Sequence, residues 1–332
     1  MIDVQHVGKL YGSFEAVRDV SFQVRESEIV GLLGPNGAGK TTIMKILTCY
    51  HFPSTGTVTL NGHDIYDDPL GVKRSVGYLP ENAPVYSDLT VLEYLNFIAQ
   101  ARYPKRSPGG DGGSVSSLRG ERIDWAVDEC GLGSVANRPI SQLSKGFRQR
   151  TGLAQAILHD PAILILDEPT SGLDPNQILE IRRLIRSLGK QKTVILSTHI
   201  LQEVEAMCDR VMILNQGGIV AEGTTEEIGR GLKGEDVMIV KLRVSNAPVT
   251  AQSVGMIPGV SRVMSVDPPS GGREVTVRLS MHPSEDNGEA IFDWAVAQGH
   301  KIVAMTPQRV SLEDIFTRLT GGISKGGETG GE

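Results

Sequence analysis

The chain has 332 residues, of which 39% are hydrophobic, and this composition supplies enough apolar side chains for a sizeable core. Its length predicts two domains, or one large domain with an appendage. The formal net charge is −6, from 33 Lys and Arg against 39 Asp and Glu, so the chain as a whole lacks the basic footprint of a nucleic-acid-binding protein. We therefore expect no nucleic acid among its partners.

No apolar stretch approaches the ~18–20 residues that a membrane-spanning helix needs. The first ten residues show no basic region followed by an apolar one, so we expect no secretion signal. The spacing of Cys49, Cys130 and Cys208 fits neither a zinc site nor a disulfide framework, and it indicates a reducing cytosol.

The first two thirds of the chain alternate between short apolar runs and segments with helical spacing. Strands are predicted at 2–7, 16–24, 28–33, 57–60, 75–79, 162–166, 193–197 and 210–214. Helices are predicted at 41–49, 89–102, 123–130, within 142–159, at 177–188 and at 201–208. Buried strands that alternate with helices indicate an α/β fold with a mostly parallel sheet covered on both faces.

Two segments interrupt this pattern. Residues 104–120 are rich in Gly, Pro and Ser and predict a flexible insertion. The glycine-rich segment around 226–236 predicts a linker, which separates a first domain, 1–225, from a second, 237–320.

The second domain is predicted to have the order β-α-β-β-α-β, which is the ferredoxin-like one. Ser311 and Asp314 are spaced like a capping box at the start of a last helix. The final residues, 321–332, contain many glycines and predict a disordered tail. The strands are expected at 237–244, 260–266, 274–280 and 301–305, and the helices at 250–254 and 285–297.

A glycine-rich loop lies between the predicted strand 28–33 and the predicted helix 41–49. Glycines let successive backbone N–H groups face a phosphate, and the helix N-terminus adds positive potential. We expect Lys40 to reach the β- and γ-phosphates of a nucleotide and the Thr41 hydroxyl to bind Mg²⁺. The match to G-x-x-x-x-G-K-[ST] is Gly34, Pro35, Asn36, Gly37, Ala38, Gly39, Lys40 and Thr41, and Thr42 follows it.

The apolar run 162–166 ends in two acidic residues, Asp167 and Glu168. Because α/β sheets bind ligands at the carboxyl ends of their strands, both carboxylates are expected beside the glycine-rich loop. We expect Asp167 to hold Mg²⁺ through water and Glu168 to orient or deprotonate the attacking water. Together these features indicate a P-loop NTPase, without specifying which one.

The run Leu143-Ser144-Lys145-Gly146-Phe147 resembles the LSGGQ signature of ATP-binding cassette (ABC) ATPases, with Lys145 and Phe147 at the third and fifth positions. Three single residues are also placed as in that family. Asp174 lies in a segment similar to its D-loop, and His199 lies where its switch histidine does. Tyr11 is placed like the aromatic residue that stacks on adenine.

These elements follow the family order over residues 1 to about 225. The resemblance implies a P-loop NTPase of the ABC-cassette type, with a mostly parallel core sheet, a small antiparallel β subdomain and a helical subdomain. Glu81 takes the place of the usual Q-loop glutamine, so the resemblance implies that it approaches ATP and Mg²⁺. The sequence GYLPE around it is similar to the branch of bacterial drug, polysaccharide and gliding-motility exporters.

The resemblance also implies a head-to-tail dimer around two ATP molecules. Each site would combine Lys40, Thr41, Asp167 and Glu168 of one subunit with the segment Leu143 to Gly146 of the other. His199 would sense the γ-phosphate, and Asp174 would couple the two sites. The implied cofactors are ATP and Mg²⁺. The implied partners are a second cassette, as a homodimer or a paired cassette, and a separate transmembrane permease that holds the protein on the cytoplasmic face of the membrane.

Simpler interpretations stay open for single residues. Ser144 can act only as a helix N-cap, His199 as a hydrogen-bonded histidine at a strand end, and Tyr11 as core. Tyr86, Tyr94 and Phe97 can contact the permease or belong to the core of the helical layer.

Two functional alternatives also stay open. One is a soluble ABC ATPase that acts on ribosomes, DNA or cluster assembly. The other concerns the second domain, which can bind a regulatory ligand or form a dimer contact.

Overall fold

The computed structural model describes residues 1–103, 112–225, 227–228, 236–244, 248–267, 274–282 and 286–308. The chain divides into two compact units, Met1–Thr224 and Thr225–Glu332. The first unit contains every predicted site residue. The three cysteines are free thiols. No helix among the described residues is long and apolar enough to cross a membrane.

The strands of the first unit are β1 (Ile2–Tyr11), β2 (Phe14–Val24), β3 (Ile29–Leu33), β4 (Thr55–Leu60), β5 (His63–Asp64), β6 (Val76–Leu79), β7 (Ile163–Asp167), β8 (Thr193–Thr198), β9 (Arg210–Asn215) and β10 (Gly218–Gly223). Its helices are α1 (Lys40–Leu47), α2 (Pro69–Ser75), α3 (Val91–Arg102), α4 (Gly112–Glu129), α5 (Lys145–Ile157), α6 (Pro175–Gly189) and α7 (Leu201–Met207).

A six-stranded sheet with the order β10-β9-β3-β8-β7-β6 forms the centre of this unit. Its five neighbouring strands from β9 to β6 pair in parallel, and β10 is antiparallel to β9. Every residue of β3, β7 and β8 is buried, because helices cover both faces of the sheet. This arrangement brings the C-terminal ends of β3, β7 and β8 to one edge.

A second sheet, with the order β2-β1-β4-β5, is antiparallel throughout. The helices α3, α4 and α5 pack against one another and form a separate layer around one hydrophobic cluster. Helix α3 begins with a capping box between Thr90 and Glu93, and it buries Tyr94 and Leu95. The two sheets and the helical layer together form the mixed α/β architecture that the sequence predicts.

Helix α4 corrects the prediction of a flexible insertion at 104–120. The helix begins at Gly112, so residues 112–120 form its first half, and residues 104–111 lie outside the described residues. Its second half buries Ile123, Ala126 and Val127 against the helical layer. Because a packed segment provides the costly helix nucleus, the helix can extend through a Gly- and Ser-rich stretch that would not start one alone.

Three elements of the first unit are absent from the sequence prediction: β5, α2 and β10. Helix α2 carries a recognisable start signal, because Asp68 accepts a hydrogen bond from Gly71 N (2.8 Å) and Pro69 is the first helical residue. Strand β5 has only two residues, and β10 is stabilised by its pairing with β9.

The second unit contains β11 (Asp236–Arg243), α8 (Ala251–Val254), β12 (Val260–Asp267), β13 (Glu274–Met281), α9 (Asn287–Ala297) and β14 (Lys301–Gln308). Its sheet has the order β12-β13-β11-β14 and is antiparallel throughout. The two helices bury Val254 and Ile291 against this sheet. The predicted capping box at Ser311 and Asp314, the tail 321–332 and most of the linker 226–236 lie outside the described residues.

Candidate nucleotide-binding site

The glycine-rich loop connects the C-terminal end of β3 to α1 at the sheet edge where β7 and β8 also end. Gly37 and Gly39 adopt φ angles of 82° and 108°, which L side chains rarely adopt. Residue Gly39 is the N-cap of α1 and offers no side chain to the first turn, which also contains no acidic residue. The free N–H groups of this turn therefore face the loop with positive potential.

Backbone from distant parts of the chain surrounds this loop. A Cβ on Gly39 would lie 2.8 Å from the carbonyl oxygen of Ala16, and one on Gly34 would lie 2.6 Å from that of Leu214. The N–H of Gly217 donates to the carbonyl of Ala38 (3.0 Å). Glycine is therefore required at 34 and 39 by the close approach of neighbouring backbone as well as by the phosphate that the loop is expected to bind.

The Lys40 side chain is buried and lies inside the loop. Its Nζ donates to the carbonyl oxygens of Gly34 (2.7 Å) and Pro35 (3.3 Å). It also lies 3.6 Å from Oε1 of Glu168, and the two side chains are 6% and 10% exposed. The lysine and the carboxylate therefore meet in a pocket that water barely reaches, where their attraction is stronger than at the surface.

Asp167 and Glu168 stand at the end of β7, as predicted. Ser197 on the neighbouring strand β8 faces Asp167, and its Oγ donates to Oδ1 of Asp167 (2.5 Å). The same Oγ accepts a hydrogen bond from the N–H of Glu168 (3.0 Å). No sequence pattern selects Ser197, because its role depends on which residue of β8 lies opposite Asp167.

The backbone at Glu168 has a φ of 48°, an uncommon conformation for a residue other than glycine. Its N–H also donates to the carbonyl of Ser197 (3.2 Å), so hydrogen bonds to β8 hold the turn. Such backbone strain is concentrated at functional sites. Here it directs the carboxylate of Glu168 toward Lys40 and His199.

His199 follows β8 and contacts the same carboxylate. Its Nδ1 lies 2.9 Å from Oε2 of Glu168, and its side chain is 51% exposed. The structure thus brings together Lys40, Glu168 and His199, three residues that are far apart in the sequence. His199 also fits the simpler interpretation, a hydrogen-bonded histidine at a strand end. Its partner, however, is Glu168, the predicted catalytic carboxylate.

The residues present fit a nucleotide triphosphate and Mg²⁺. The uncapped α1 N-terminus and open space around Gly37 suit a phosphate chain. The Thr41 side chain is exposed in the first turn of α1, and Asp167 ends β7 nearby. Among the described residues, no three His, Cys, Asp or Glu are clustered as a metal site. An ion there would take its remaining ligands from phosphate and water, as Mg²⁺ usually does.

The tyrosine on the adjacent strand β6 is kept neutral. Burial, and next the negative charge of Asp167, raise the pKa of Tyr78 to about 12.

The signature-like segment lies at the start of α5. Ser144 is the N-cap and accepts a hydrogen bond from Phe147 N (3.3 Å), so the simpler interpretation of this residue describes its contacts within the chain. Ser144 and Lys145 are exposed, whereas Gly146 is buried against Gln177 of α6. The exposed donors at this helix start are therefore available to a partner.

The D-loop-like segment lies at the start of α6. Asp174 is exposed and caps this helix by accepting hydrogen bonds from the N–H groups of Asn176 and Gln177, both at 3.0 Å. Gly172, with a φ of 68°, lies against the ammonium of the flexible Lys145 side chain. The D-loop-like and signature-like segments are thus in contact, a relationship that the sequence did not indicate.

Tyr11 lies at the end of β1 and is 41% exposed, which excludes the interpretation of this residue as core. Its ring meets the edge of the His51 ring at 5.7 Å between centroids, and Nζ of Lys9 lies 5.3 Å from its centroid. Glu81 is exposed in the segment after β6, and within the described part of the chain it forms no hydrogen bond or ion pair with the phosphate loop.

The three aromatic residues of the helical layer separate into two groups. Tyr94 is buried and belongs to the core, as one of the two interpretations had it. Tyr86 and Phe97 are 56% and 50% exposed, and their rings meet edge to face at 5.5 Å. These two form an exposed aromatic pair on the helical layer.

Residues 17–171 match the ABC transporter family. Over 322 residues, 96% of this chain and 99% of the relative, the chain is 33% identical to the uncharacterized ABC transporter ATP-binding protein YxlF of Bacillus subtilis (strain 168). The chain belongs to the ABC transporter family of ATP-binding proteins. The resemblance noted in the sequence is thereby confirmed.

Two further relatives of this ABC ATP-binding protein have names that refer to transport. The Nod factor export ATP-binding protein I of Burkholderia orbicola (strain AU 1054) is 31% identical, with 96% of this chain and 97% of the relative covered. The bacitracin transport ATP-binding protein BcrA of Bacillus licheniformis is 29% identical, with 97% and 98% covered.

Solved structures share the cassette fold of the ABC ATP-binding proteins. An ATP-binding subunit of an ABC transporter has a TM-score of 0.60 and 31% identity, covering 70% of this chain and 92% of its own. The dimeric post-hydrolysis state of the ATP-binding cassette MJ0796, bound to ADP and Pi, has a TM-score of 0.60 and 26% identity, covering 68% and 98%. The ABC-cassette P-loop NTPase fold is thus confirmed.

Proposed function

We propose that this protein is the ATP-binding and ATP-hydrolysing subunit of an ABC exporter, which dimerises around two MgATP and drives a separate membrane permease. The observation that carries the proposal is the meeting of Lys40, Glu168 and His199 beside the glycine-rich loop. The export and transport functions in the names of the Nod factor and bacitracin relatives support the exporter.

The chemistry follows from the contacts. Among the described residues, the partners of the Lys40 Nζ are loop carbonyls and Glu168, so the ammonium lies where the β- and γ-phosphates of ATP would bind. Glu168 would then hold the attacking water and accept its proton, while His199 keeps the carboxylate oriented and contacts the γ-phosphate. Thr41, Asp167 and Glu81 would hold Mg²⁺, which neutralises charge on the phosphates when it is bound.

A second subunit would complete each site with Leu143, Ser144, Lys145 and Gly146. The exposure of Ser144 at the start of α5 supports this role, because its hydroxyl and the helix N-terminus can donate to a γ-phosphate. The exposed Asp174 at the start of α6 would couple the two sites. The dimeric state of the similar cassette bound to ADP and Pi also supports the pairing.

The remaining assignments complete the proposal. Residues 1–225 form the cassette, 226–236 the linker and 237–320 an accessory domain with ferredoxin-like order, supported by the antiparallel sheet β12-β13-β11-β14. The exposed pair Tyr86 and Phe97 is available as a contact for the permease. That contact would hold the protein peripherally on the cytoplasmic face of the cell membrane.

ATP-dependent dimerisation of the Glu168→Gln protein tests the proposal. The variant keeps the shape of the side chain and removes the base, so ATP should bind, hydrolysis should stop and a dimer should accumulate. Light scattering with and without ATP and Mg²⁺ measures the mass. Exposed Glu205 offers a matched control, because Glu205→Gln makes the same charge change outside the site and should leave hydrolysis unchanged.

The added variant Ser144→Arg should abolish the dimer without abolishing ATP binding, because its long side chain would collide with the partner's nucleotide. A Glu168→Gln protein that still hydrolyses ATP would reject Glu168 as the catalytic carboxylate. A Glu168→Gln protein that binds ATP and stays monomeric would reject the homodimer and require a different partner cassette.

A further inference from the structure

A groove of about 700 Å³ lies on the first unit, at the opposite end of the strands from the glycine-rich loop. Residues of the C-terminal half of α6 form one wall, and the residues that precede β3 and β9 form the other. Because the strands are parallel, their first residues point away from the end that carries Lys40 and Glu168. The groove is therefore separate from the nucleotide site.

Four cationic side chains line this groove: Arg182, Arg183, Arg186 and Lys190. None of them forms an ion pair with another residue in the described part of the chain. The single acidic residue of the lining is Asp209, whose Oδ2 already accepts a hydrogen bond from Ile29 N (2.9 Å). Four cations against one carboxylate leave a local charge of 4 − 1 = +3 on a chain of net charge −6.

Cations in the last turns of a helix have a simpler explanation, because they offset the negative end of the helix dipole. This explanation accounts for Arg186, which also donates from Nε to the carbonyl of Ala206 (3.0 Å), and for Lys190 after the helix. It does not account for Arg182. The Nε of Arg182 is buried and has no hydrogen-bond acceptor among the described residues. A buried donor without an acceptor is rare in folded proteins, and it shows that the hydrogen bonding of the Arg182 side chain within the described residues is incomplete.

The rest of the lining mixes apolar residues with Ser27, Ser187 and Gly189. The apolar members are Leu179, which is 47% exposed, Ala206 of α7 and the largely buried Ile29. Ligand sites of roughly 300–1,000 Å³ are commonly apolar cavities with a few charged groups that fix the orientation of the ligand. Guanidinium groups match phosphate oxygens through paired hydrogen bonds.

We propose that this groove is a second anion site, which binds a phosphate ester whose organic part is apolar. The guanidinium groups of Arg182 and Arg183 hold the phosphate, and the exposed side chain of Leu179 contacts the organic part. A soluble phosphorylated compound and a phospholipid headgroup share this chemistry. The site does not depend on ATP binding at the glycine-rich loop.

Phenyl phosphate is a suitable soluble probe, because it joins a phosphate to an apolar ring. Its binding is measured by calorimetry on the full chain carrying Lys40→Ala, which removes phosphate binding at the glycine-rich loop. Arg182→Gln and Arg183→Gln should each weaken binding by about tenfold, the loss expected for one charged hydrogen-bond partner. The control Arg74→Gln removes the same charge from exposed α2 and should change nothing.

Vesicles of phosphatidylcholine with and without phosphatidylglycerol identify the source of the phosphate. Cosedimentation that requires phosphatidylglycerol and is lost in both variants assigns the site to a lipid headgroup. Phenyl phosphate binding without cosedimentation assigns it to a soluble ester.

The proposal is overturned if neither probe binds, or if both variants bind phenyl phosphate as the parent does. It is also overturned if inorganic phosphate binds as tightly as phenyl phosphate, since the apolar wall then contributes nothing. The thermal midpoint of each variant reports whether it folds. If Arg182→Gln impairs folding, the Arg183→Gln variant still tests the proposal, because Arg183 is exposed.

Discussion

Nδ1 of His199 lies 2.9 Å from Oε2 of Glu168, which also faces the Lys40 ammonium through its other oxygen. The histidine therefore fixes the rotation of the carboxylate that is proposed to receive a proton from water. A base is effective only when it is held within hydrogen-bond distance of the proton that it accepts. Because His199 contacts Glu168, the turnover rate should depend on His199 although His199 is not itself the base.

Replacing His199 by Gln should lower kcat by about a hundredfold, since an oriented general base contributes at least that much. ATP binding should change little, because the Lys40 contacts stay intact. Steady-state hydrolysis and equilibrium ATP binding separate the two effects. His63→Gln is a matched control, because the exposed His63 also pairs with a carboxylate, that of Asp68 (2.8 Å), outside the site. Equal losses of kcat in both variants would remove the special role of His199.

Ser197→Ala should reduce kcat by about tenfold or more and the free energy of unfolding by about 1 kcal/mol. Its hydroxyl donates to Asp167 and accepts from the backbone of Glu168, so its loss frees both acidic residues. Thr193→Val is the comparison: the Thr193 hydroxyl also donates and accepts, at the other end of β8. The Thr193→Val variant should have a lower free energy of unfolding and an unchanged kcat. A Ser197→Ala enzyme with normal kcat would show that the hydroxyl is only structural.

Lys40→Ala should abolish productive ATP binding, because no other side-chain cation in the described ranges contacts the loop carbonyls that Lys40 does. Fluorescent-nucleotide titration measures the affinity, and Lys45→Ala on the same helix is the control. ATP hydrolysis that survives Lys40→Ala undiminished would contradict the assignment of the glycine-rich loop.

Acid should destabilise the first unit through His159. Burial, assisted by the positive charge of Arg102, lowers the pKa of His159 to about 4. The ring donates from Nε2 to the carbonyl of Val76 (3.0 Å). Its Nδ1 is buried and has no hydrogen-bond partner among the residues that the structure describes, so a second proton would find no acceptor there. The unfolded chain protonates this histidine below its ordinary pKa of about 6.5, whereas the folded chain does not.

The folded state has its full free energy of unfolding above pH 6.5, where His159 is neutral in both states. The contribution of neutral His159 to this free energy is lost as the pH falls from 6.5 toward 4. Between pH 7 and pH 5 the loss is about 2 kcal/mol. His159→Gln, which cannot titrate, should flatten this part of the curve of unfolding free energy against pH. The exposed His282, replaced by Gln, serves as the control and should leave the curve unchanged. Identical curves for His159→Gln and the parent would refute the assignment.

Deleting residues 112–120 should lower the thermal midpoint by several degrees, because it removes the first half of α4 and the buried Arg119. The flexible insertion stays a prediction for residues 104–111, whose deletion should leave the midpoint within about one degree. Equal midpoints for the two deletions would show that the first half of α4 adds no stability.

Much of the cassette could be predicted because its strands are continuous apolar runs and its loops carry glycine at fixed spacings. Strand β7 ends at Asp167, directly before Glu168, as predicted. The glycine-rich loop precedes α1, also as predicted. Ser197 could not be selected, because its partner Asp167 is set by the register between β7 and β8. The contact of Lys145 with Gly172 likewise depends on how two helix starts meet.

The start of α4 shows a different limit. Local composition favoured a disordered stretch at 112–120, and packing of the helix farther along overrides it. Helix α2 was predictable from Asp68 and Pro69, whereas β5 and β10 depend on neighbouring strands.

The backbone contacts of Ala16 and Gly217 with Gly39 have a consequence for synthesis on the ribosome. The glycine-rich loop is made early, yet its final shape requires residues near the end of the first unit. Closing so long a loop is slow compared with forming local contacts. A nascent chain can therefore display the full phosphate-binding motif while it still lacks the surroundings that shape it. Nucleotide affinity should emerge late in translation, when the first unit is nearly complete.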